Sequence, residues 1–172
     1  HEVDRHTLID WLYDAGNTGT KTTRRTLAIL SLLRRRLLAN EPATWDDFQS
    51  TCADDTELEL ELDRCVYYNI RPESNEIVQQ NSSAIAAVGS SEVGSLIWKE
   101  LLALDPHVML VSGHAGLAAV NGLAHLTEPL QYKNNTIHPD GFVIQSFGHP
   151  AYPRYNDWSA MIEDVAKIKQ NR

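Results

Sequence analysis

The chain has 172 residues, 42% of them hydrophobic and 22% charged, with a formal net charge of −8, which is ordinary globular usage and excludes a collagen-like repeat or wholesale disorder. Two domains would be cramped in this length, so one α/β domain over 1–172 is expected, and an opening at His1 rather than a methionine leaves room for residues upstream. No apolar run approaches the roughly 20 residues of a membrane helix and no signal peptide opens the chain, so a cytoplasmic protein with no membrane partner is expected.

Residues 1–50 read as mainly helical. His6 to Tyr13 gathers Leu8, Ile9, Trp11, Leu12 and Tyr13 and stops at Gly16, a suitable C-terminal cap. Thr22 or Thr23 then caps a second helix in which Leu27, Leu30, Leu33, Leu37 and Leu38 recur at the spacing of one buried stripe, with the basic residues on the other side. Between Ala15 and Asn40 there is no acid, while Lys21, Arg24, Arg25, Arg34, Arg35 and Arg36 supply six of the fifteen Lys and Arg. That block reads either as a solvated helix face or as a surface for phosphates. The next segment reverses sign, from Glu41 to Asp63, with nine of the twenty-three acids. Within it Thr44 caps a short helix whose Asp46 and Asp47 lie in the first turn and whose Trp45 and Phe48 face inward.

From here the pattern turns toward strands, and 62–169 is expected to carry the sheet and its covering helices. Leu58, Leu60 and Leu62 alternate with Glu57, Glu59 and Glu61, which suits an edge strand, with a helical turn as the alternative for so short a run. Cys65 to Tyr68 is an apolar, β-favouring run that ends at Asn69. Ser91 caps a helix from Val93 to Ala103 with Leu96, Ile97, Leu101 and Leu102 on one face, broken at Asp105 and Pro106. Val108 to Val111 is a second strand, Ala115 to Leu126 a small-residue helix, Phe142 to Gln145 a third strand, and Ser159 to Lys169 a final helix. Strand and helix in alternation predict a three-layer α/β/α fold with a mainly parallel open sheet and N-terminal helices.

Open sheets of this kind bind ligands beyond the carboxyl ends of their strands. The residues there are Asn69 after the first run, Gly113 and His114 after the second, and Ser146 and His149 after the third. Each has a local structural explanation: Asn69 as a turn residue, His114 as a helix cap, His149 as a loop histidine. Their joint occurrence at one edge is what suggests a site. The chain has no GxGxxG, GxxxxGK[ST] or GxSxG sequence, so dinucleotide, P-loop and nucleophile-elbow chemistry are not supported. Two cysteines, Cys52 and Cys65, are too few for a cysteine-built cluster, and the seven histidines lack metal-ligand spacing, so no metal and no cofactor are expected.

Three segments, Arg64 to Ile70 (RCVYYNI), Trp98 to Gly116 (WKELLALDPHVMLVSGHAG) and Phe142 to Trp158 (FVIQSFGHPAYPRYNDW), resemble the uracil-DNA glycosylase superfamily over about residues 62–169. The resemblance implies that Asn69 reads a base flipped out of DNA, that His149 assists departure of the base, and that the segment Ala151 to Tyr155 wedges into the duplex. Tyr67 or Tyr68 would then stack on the base and His114 border it, and Arg71, Lys133, Tyr152, Arg154 and Tyr155 would contact DNA, with the Lys21 to Arg36 block as an extension. The superfamily's first motif, which holds an acidic or amide residue, is not recognisable. Glu2 or Asp4 would be its remnant, or else acids favourably placed in a helix start. The expected activity is hydrolysis of an N-glycosidic bond to leave an abasic site, on uracil or on a modified base such as a hypermodified cytosine of phage DNA. DNA is the expected partner, with no obligate protein partner. Two further readings stay open: a catalytically silent nucleic-acid- or nucleotide-binding module, and a small-molecule hydrolase using His114 and His149 as acid and base. Gly89, Ser90, Ser91 and Gly113 serve either to leave room for a substituent or to allow close packing.

Overall fold

The computed structural model describes residues 12–13, 18–66, 89–148 and 155–170. They contain α1 (Thr18–Ala39), α2 (Trp45–Ala53), α3 (Asp55–Leu62), α4 (Glu92–Ala103), β1 (Val108–Ser112), α5 (Gly113–Leu123), β2 (Asn135–Ile137), β3 (Val143–Phe147) and α6 (Tyr155–Gln170). The chain divides into two compact units, one over Asn69–Gly148 and the other over Glu2–Tyr68 with His149–Arg172. Among the described residues no helix is long and apolar enough to cross a membrane.

The second unit is helical, and α1 is its centre, in contact with α2, α3 and α6. A helix with neighbours on several sides buries more than one stripe, and Leu27, Ala28, Ile29, Ser31, Leu32 and Leu33 are all buried. The single stripe expected from the leucine spacing is therefore too narrow, and it also runs too far, because Leu38 is 78% exposed. Helix α2 starts as its sequence predicts. Thr44 Oγ1 accepts from the Asp47 amide at 3.2 Å and the Thr44 amide donates to Asp47 Oδ2 at 3.3 Å, a reciprocal cap that satisfies two donors at once. Phe48 is buried against Trp158 of α6, ring centroids 4.8 Å apart, while Trp45 rests half-exposed on Phe48.

The Leu58–Leu62 alternation forms α3, not an edge strand. Asp54 caps it, accepting from the Glu57 amide at 3.1 Å. Leu58 and Leu62, four apart, are buried together while Leu60 points out at 44% exposure. Alternation over five residues satisfies the helical i, i+4 spacing as well as the period of a strand. The helical spacing also sets Glu57 and Glu61 on one side, where Arg34 of α1 donates to them at 3.0 and 2.9 Å. The strand expected at Cys65 to Tyr68 lies outside the described residues from Tyr67 onward, and Cys65 and Val66 have no regular structure.

The first unit holds a small mixed three-stranded sheet in the order β1-β3-β2. β1 and β3 are parallel, with Val108 opposite Val143 and Ser112 opposite Phe147. β2 is antiparallel to β3, with Asn135 opposite Gln145 and Ile137 opposite Val143. β2 was not expected from sequence. The turn that joins it to β3 was nevertheless written in His138-Pro139-Asp140-Gly141: the Gly141 amide donates to His138 O at 2.8 Å, and Gly141 takes φ 96°, a conformation open to glycine. Trp98, Val111, Leu117, Val120, Leu123, Leu130, Phe142 and Ile144 form the core between the sheet and helices α4 and α5. On α4 it is Ile97 and Trp98 that are buried, and Leu96, expected inside, is 55% exposed. Every residue of β3 is buried, on both faces.

Candidate functional site

The parallel register brings the carboxyl ends of β1 and β3 to one edge. Ser112 and Phe147 are partners across the ladder, so Gly113-His114 and Gly148 leave the sheet side by side. Ser112 is the N-cap of α5 but makes no side-chain cap bond. Gly113 turns the chain from strand into helix at φ 72°, and a β-carbon there would meet nothing within 4 Å. Glycine is required here by the left-handed backbone and not by space.

His114 does not cap α5. It is an exposed residue of the first turn, and its ring stacks on Tyr132, centroids 4.1 Å apart at 25°. Tyr132, 38% exposed, sits in the segment before β2, and antiparallel pairing carries that segment to the same edge. Two clamps hold it. Asn121 of α5 donates from Nδ2 to Leu130 O at 2.9 Å and accepts the Leu130 amide at 2.8 Å. Ser146 of β3, fully buried, donates from Oγ to Gln131 O at 2.7 Å and accepts the Asn134 amide at 3.2 Å. Between these clamps the Tyr132 hydroxyl lies over Gly148, where a β-carbon would approach it to 3.3 Å. The Lys133 ammonium lies 5.7 Å from the Tyr132 ring centroid, within the range of a cation–π contact.

In the middle of β3, Gln145 is 1% exposed. Its Nε2 donates to Asn134 O at 3.0 Å and to Ser146 O at 2.7 Å. Both amide hydrogens are thereby used and the side chain is fixed. Among the described residues, Gln145 Oε1 is buried without a hydrogen-bond partner.

Of the residues expected at the site, the structure describes His114. Asn69, Tyr68, Arg71, His149, Tyr152, Arg154, Glu2 and Asp4 lie outside the described residues, as does the side chain of Tyr155, the first residue of α6. Tyr132 was missed. The sequence had no means of bringing Tyr132 to the edge without β2.

The charge pattern resolves differently from expectation. Arg24 donates to Asp55 at 2.6 Å, Arg35 to Glu41 at 2.7 Å, and Arg36 to both oxygens of Glu163 at 2.7 and 2.9 Å. With Arg34 on Glu57 and Glu61, these four arginines of the basic block are matched to acids of the same unit rather than left as an open cationic face. The hydrogen bonds from Arg36 hold the Glu163 carboxyl below its ordinary range. Burial pushes the Cys52 thiol up to about 11 and the Cys65 thiol up to about 12, so both stay protonated at neutral pH and neither is an activated nucleophile. Among the described residues no group of His, Cys, Asp or Glu is arranged to hold a metal ion. Comparisons with known protein families, with curated proteins and with solved structures found no match to the chain.

Proposed function

We propose that this chain is a cytoplasmic, monofunctional DNA glycosylase on a three-layer α/β/α scaffold, acting on a uracil or modified base turned out of the duplex. The observation that carries the reading is the β1–β3 register, which sets Gly113-His114 and Gly148 at one carboxyl edge. These belong to two of the three segments that resemble the superfamily. The exposed His114–Tyr132 stack at that edge adds a flat aromatic surface of the kind on which bases rest.

In this reading Asn69, with both a donor and an acceptor, reads the base edge, and Tyr68 and His114 border it. The electron pair of the glycosidic C–N bond leaves with the base. His149 donates a hydrogen bond to the charge developing there, and water adds to the sugar carbon and loses its proton. Glu2 or Asp4 supplies the carboxylate that steadies the cationic sugar. Tyr152, Arg154 and Tyr155 fill the gap left in the helix, and Arg71, Arg154 and Lys133 contact phosphates.

The test is incubation with DNA carrying uracil, a mismatch, or the modified bases of phage genomes, followed by alkali to cut abasic sites. The expected result is cleavage at one class of base, with His149→Ala reducing single-turnover excision about 100-fold, the scale of losing one positioned donor. Undiminished excision by that variant would remove His149 from the mechanism. DNA binding without abasic sites on any substrate would identify the chain as a silent binding module instead.

A further inference from the structure

An exposed histidine in the first turn of a helix is ordinarily free to exchange between rotamers, each with a different ring plane. His114 is such a residue, yet its ring is committed to one surface, the face of Tyr132 at 4.1 Å and 25°. Tyr132 is itself held. It is the second residue of a turn closed by the Asn134 amide on Gln131 O at 3.2 Å, and the fully buried Ser146 pins both ends of that turn. Ser146 Oγ donates to Gln131 O at 2.7 Å and accepts the Asn134 amide at 3.2 Å, and the Ser146 amide donates to Asn134 O at 2.9 Å. The third residue of the turn, Lys133, takes φ 58°, a left-handed conformation for which turns favour glycine or asparagine. A lysine there sets its ammonium 5.7 Å from the Tyr132 ring centroid, so imidazole and ammonium converge on one phenol ring. The hydroxyl of that ring lies over Gly148. β3 thus fixes the turn, the turn fixes the phenol, and the phenol fixes the imidazole.

We propose that Tyr132 is a positioning residue of this edge: it covers one face of the His114 ring and fixes its plane, so that the other face is presented to a planar base. The assignment rests on the reading of the edge as a nucleobase site and goes beyond it by adding a residue that serves the base without touching it. An imidazole already held in plane has little rotamer freedom left to lose when a base stacks on it, and preorganisation of this kind raises affinity. The contact is made by the ring, so phenylalanine at 132 serves as well as tyrosine and alanine does not. The effect also passes through His114. Once the imidazole is gone, removing Tyr132 takes away nothing more.

The experiment is a double-mutant cycle in the full chain, comparing the wild type with His114→Ala, Tyr132→Ala and the two combined, with Tyr132→Phe as the conservative variant. Affinity is measured for a single-stranded oligonucleotide carrying the base that is excised, or uracil where none is excised. The ring signals of His114 are followed by nuclear magnetic resonance in the chains that retain it. The expected result is that Y132A weakens binding about threefold to tenfold, the scale of one aromatic pair, and moves the His114 ring signals. Y132F restores both, and the combined variant binds no worse than H114A. Losses that multiply in the combined variant mean that Tyr132 touches the ligand itself and overturn the proposal, as do unchanged binding by Y132A and no binding by the wild type. If Y132A does not fold, Tyr132→Leu takes its place in the cycle. Coupled binding without abasic sites on any substrate sinks the glycosylase reading and leaves the positioning role standing. Abasic sites formed with losses that multiply do the reverse.

Discussion

Gly122 and Gly89 show how much one missing β-carbon decides. On Gly122 of α5 a β-carbon would fall 2.5 Å from Gly89 O and 2.8 Å from Gly89 Cα, both backbone atoms with no side-chain freedom to retreat. The small residues around position 89 thus serve close packing of the segment before α4 on α5, and it is not there that room for a substituent is found. Gly122→Ala is expected to cost about 1–3 kcal/mol, the usual range for overpacking, whereas Gly116→Ala, whose β-carbon would meet Val111 Cγ1 at an ordinary 3.5 Å, is expected to be tolerated. Thermal unfolding of the two variants side by side checks this, and equal melting temperatures would refute it. His125, Asp105 and Asn40 follow the same local logic from the other side: each takes a left-handed backbone just beyond a helix end, the position where a helix is released.

At the level of elements, local chemistry was readable at several caps and breakers, though not at Thr22 or Thr23, which lie inside α1 rather than at its start. Thr44 with Asp47, Ser91 with the Gly94 amide at 2.9 Å, and Asp105 with Pro106 all delimit helices as their types predict. Hydrophobic spacing failed where the run was too short to separate the helical period from that of a strand. Helix α3 is the clearest case, and it yields a prediction. In a strand, Leu58, Leu60 and Leu62 share a face and cost alike when truncated; in α3, Leu58 is fully buried and Leu60 is not. Leu58→Ala should therefore lose about 2–5 kcal/mol and Leu60→Ala no more than about 0.5 kcal/mol, measured by denaturant unfolding. Comparable losses at both positions would restore the strand. β2, only three residues long, offered no periodicity at all, although the Pro-Asp-Gly turn after it is a hairpin signal in its own right.

Across the molecule as a whole, the separation of charge along the sequence becomes pairing in space. Arg36 and Glu163 are 127 positions apart, and their two-pronged contact joins the start of the chain to its end within the helical unit. Because folding lowers the Glu163 carboxyl, the pair contributes stability that is complete above the ordinary carboxylate range and disappears as pH falls through the depressed value. The melting temperature of Glu163→Gln should thus lie below the wild type at neutral pH and converge with it in acid; a constant gap at every pH would show that the carboxylate's charge is not involved. The same pairing limits what α1 would contribute under the proposed DNA-binding role. Neutralising Lys133, exposed at the sheet edge, is expected to reduce the slope of log affinity against log salt by about 1, and Arg35→Ala, already matched to Glu41, to leave it unchanged. A reduced slope for Arg35→Ala would place α1 on the nucleic acid after all.

The amino-acid order by itself determined the caps of α2 and α4, the approximate places of the two strands of the parallel pair, and the segments that gather histidine and glycine after them, because caps, breakers and buried β-branched runs act over a few residues. Only the tertiary structure decided which faces of α1 are covered, that the acidic block is the counterpart of the basic one, that Leu58 to Leu62 is helical, and that Tyr132 stands at the edge with His114. Each of those depends on partners distant in sequence, and neither periodicity nor composition specifies which distant residue will arrive.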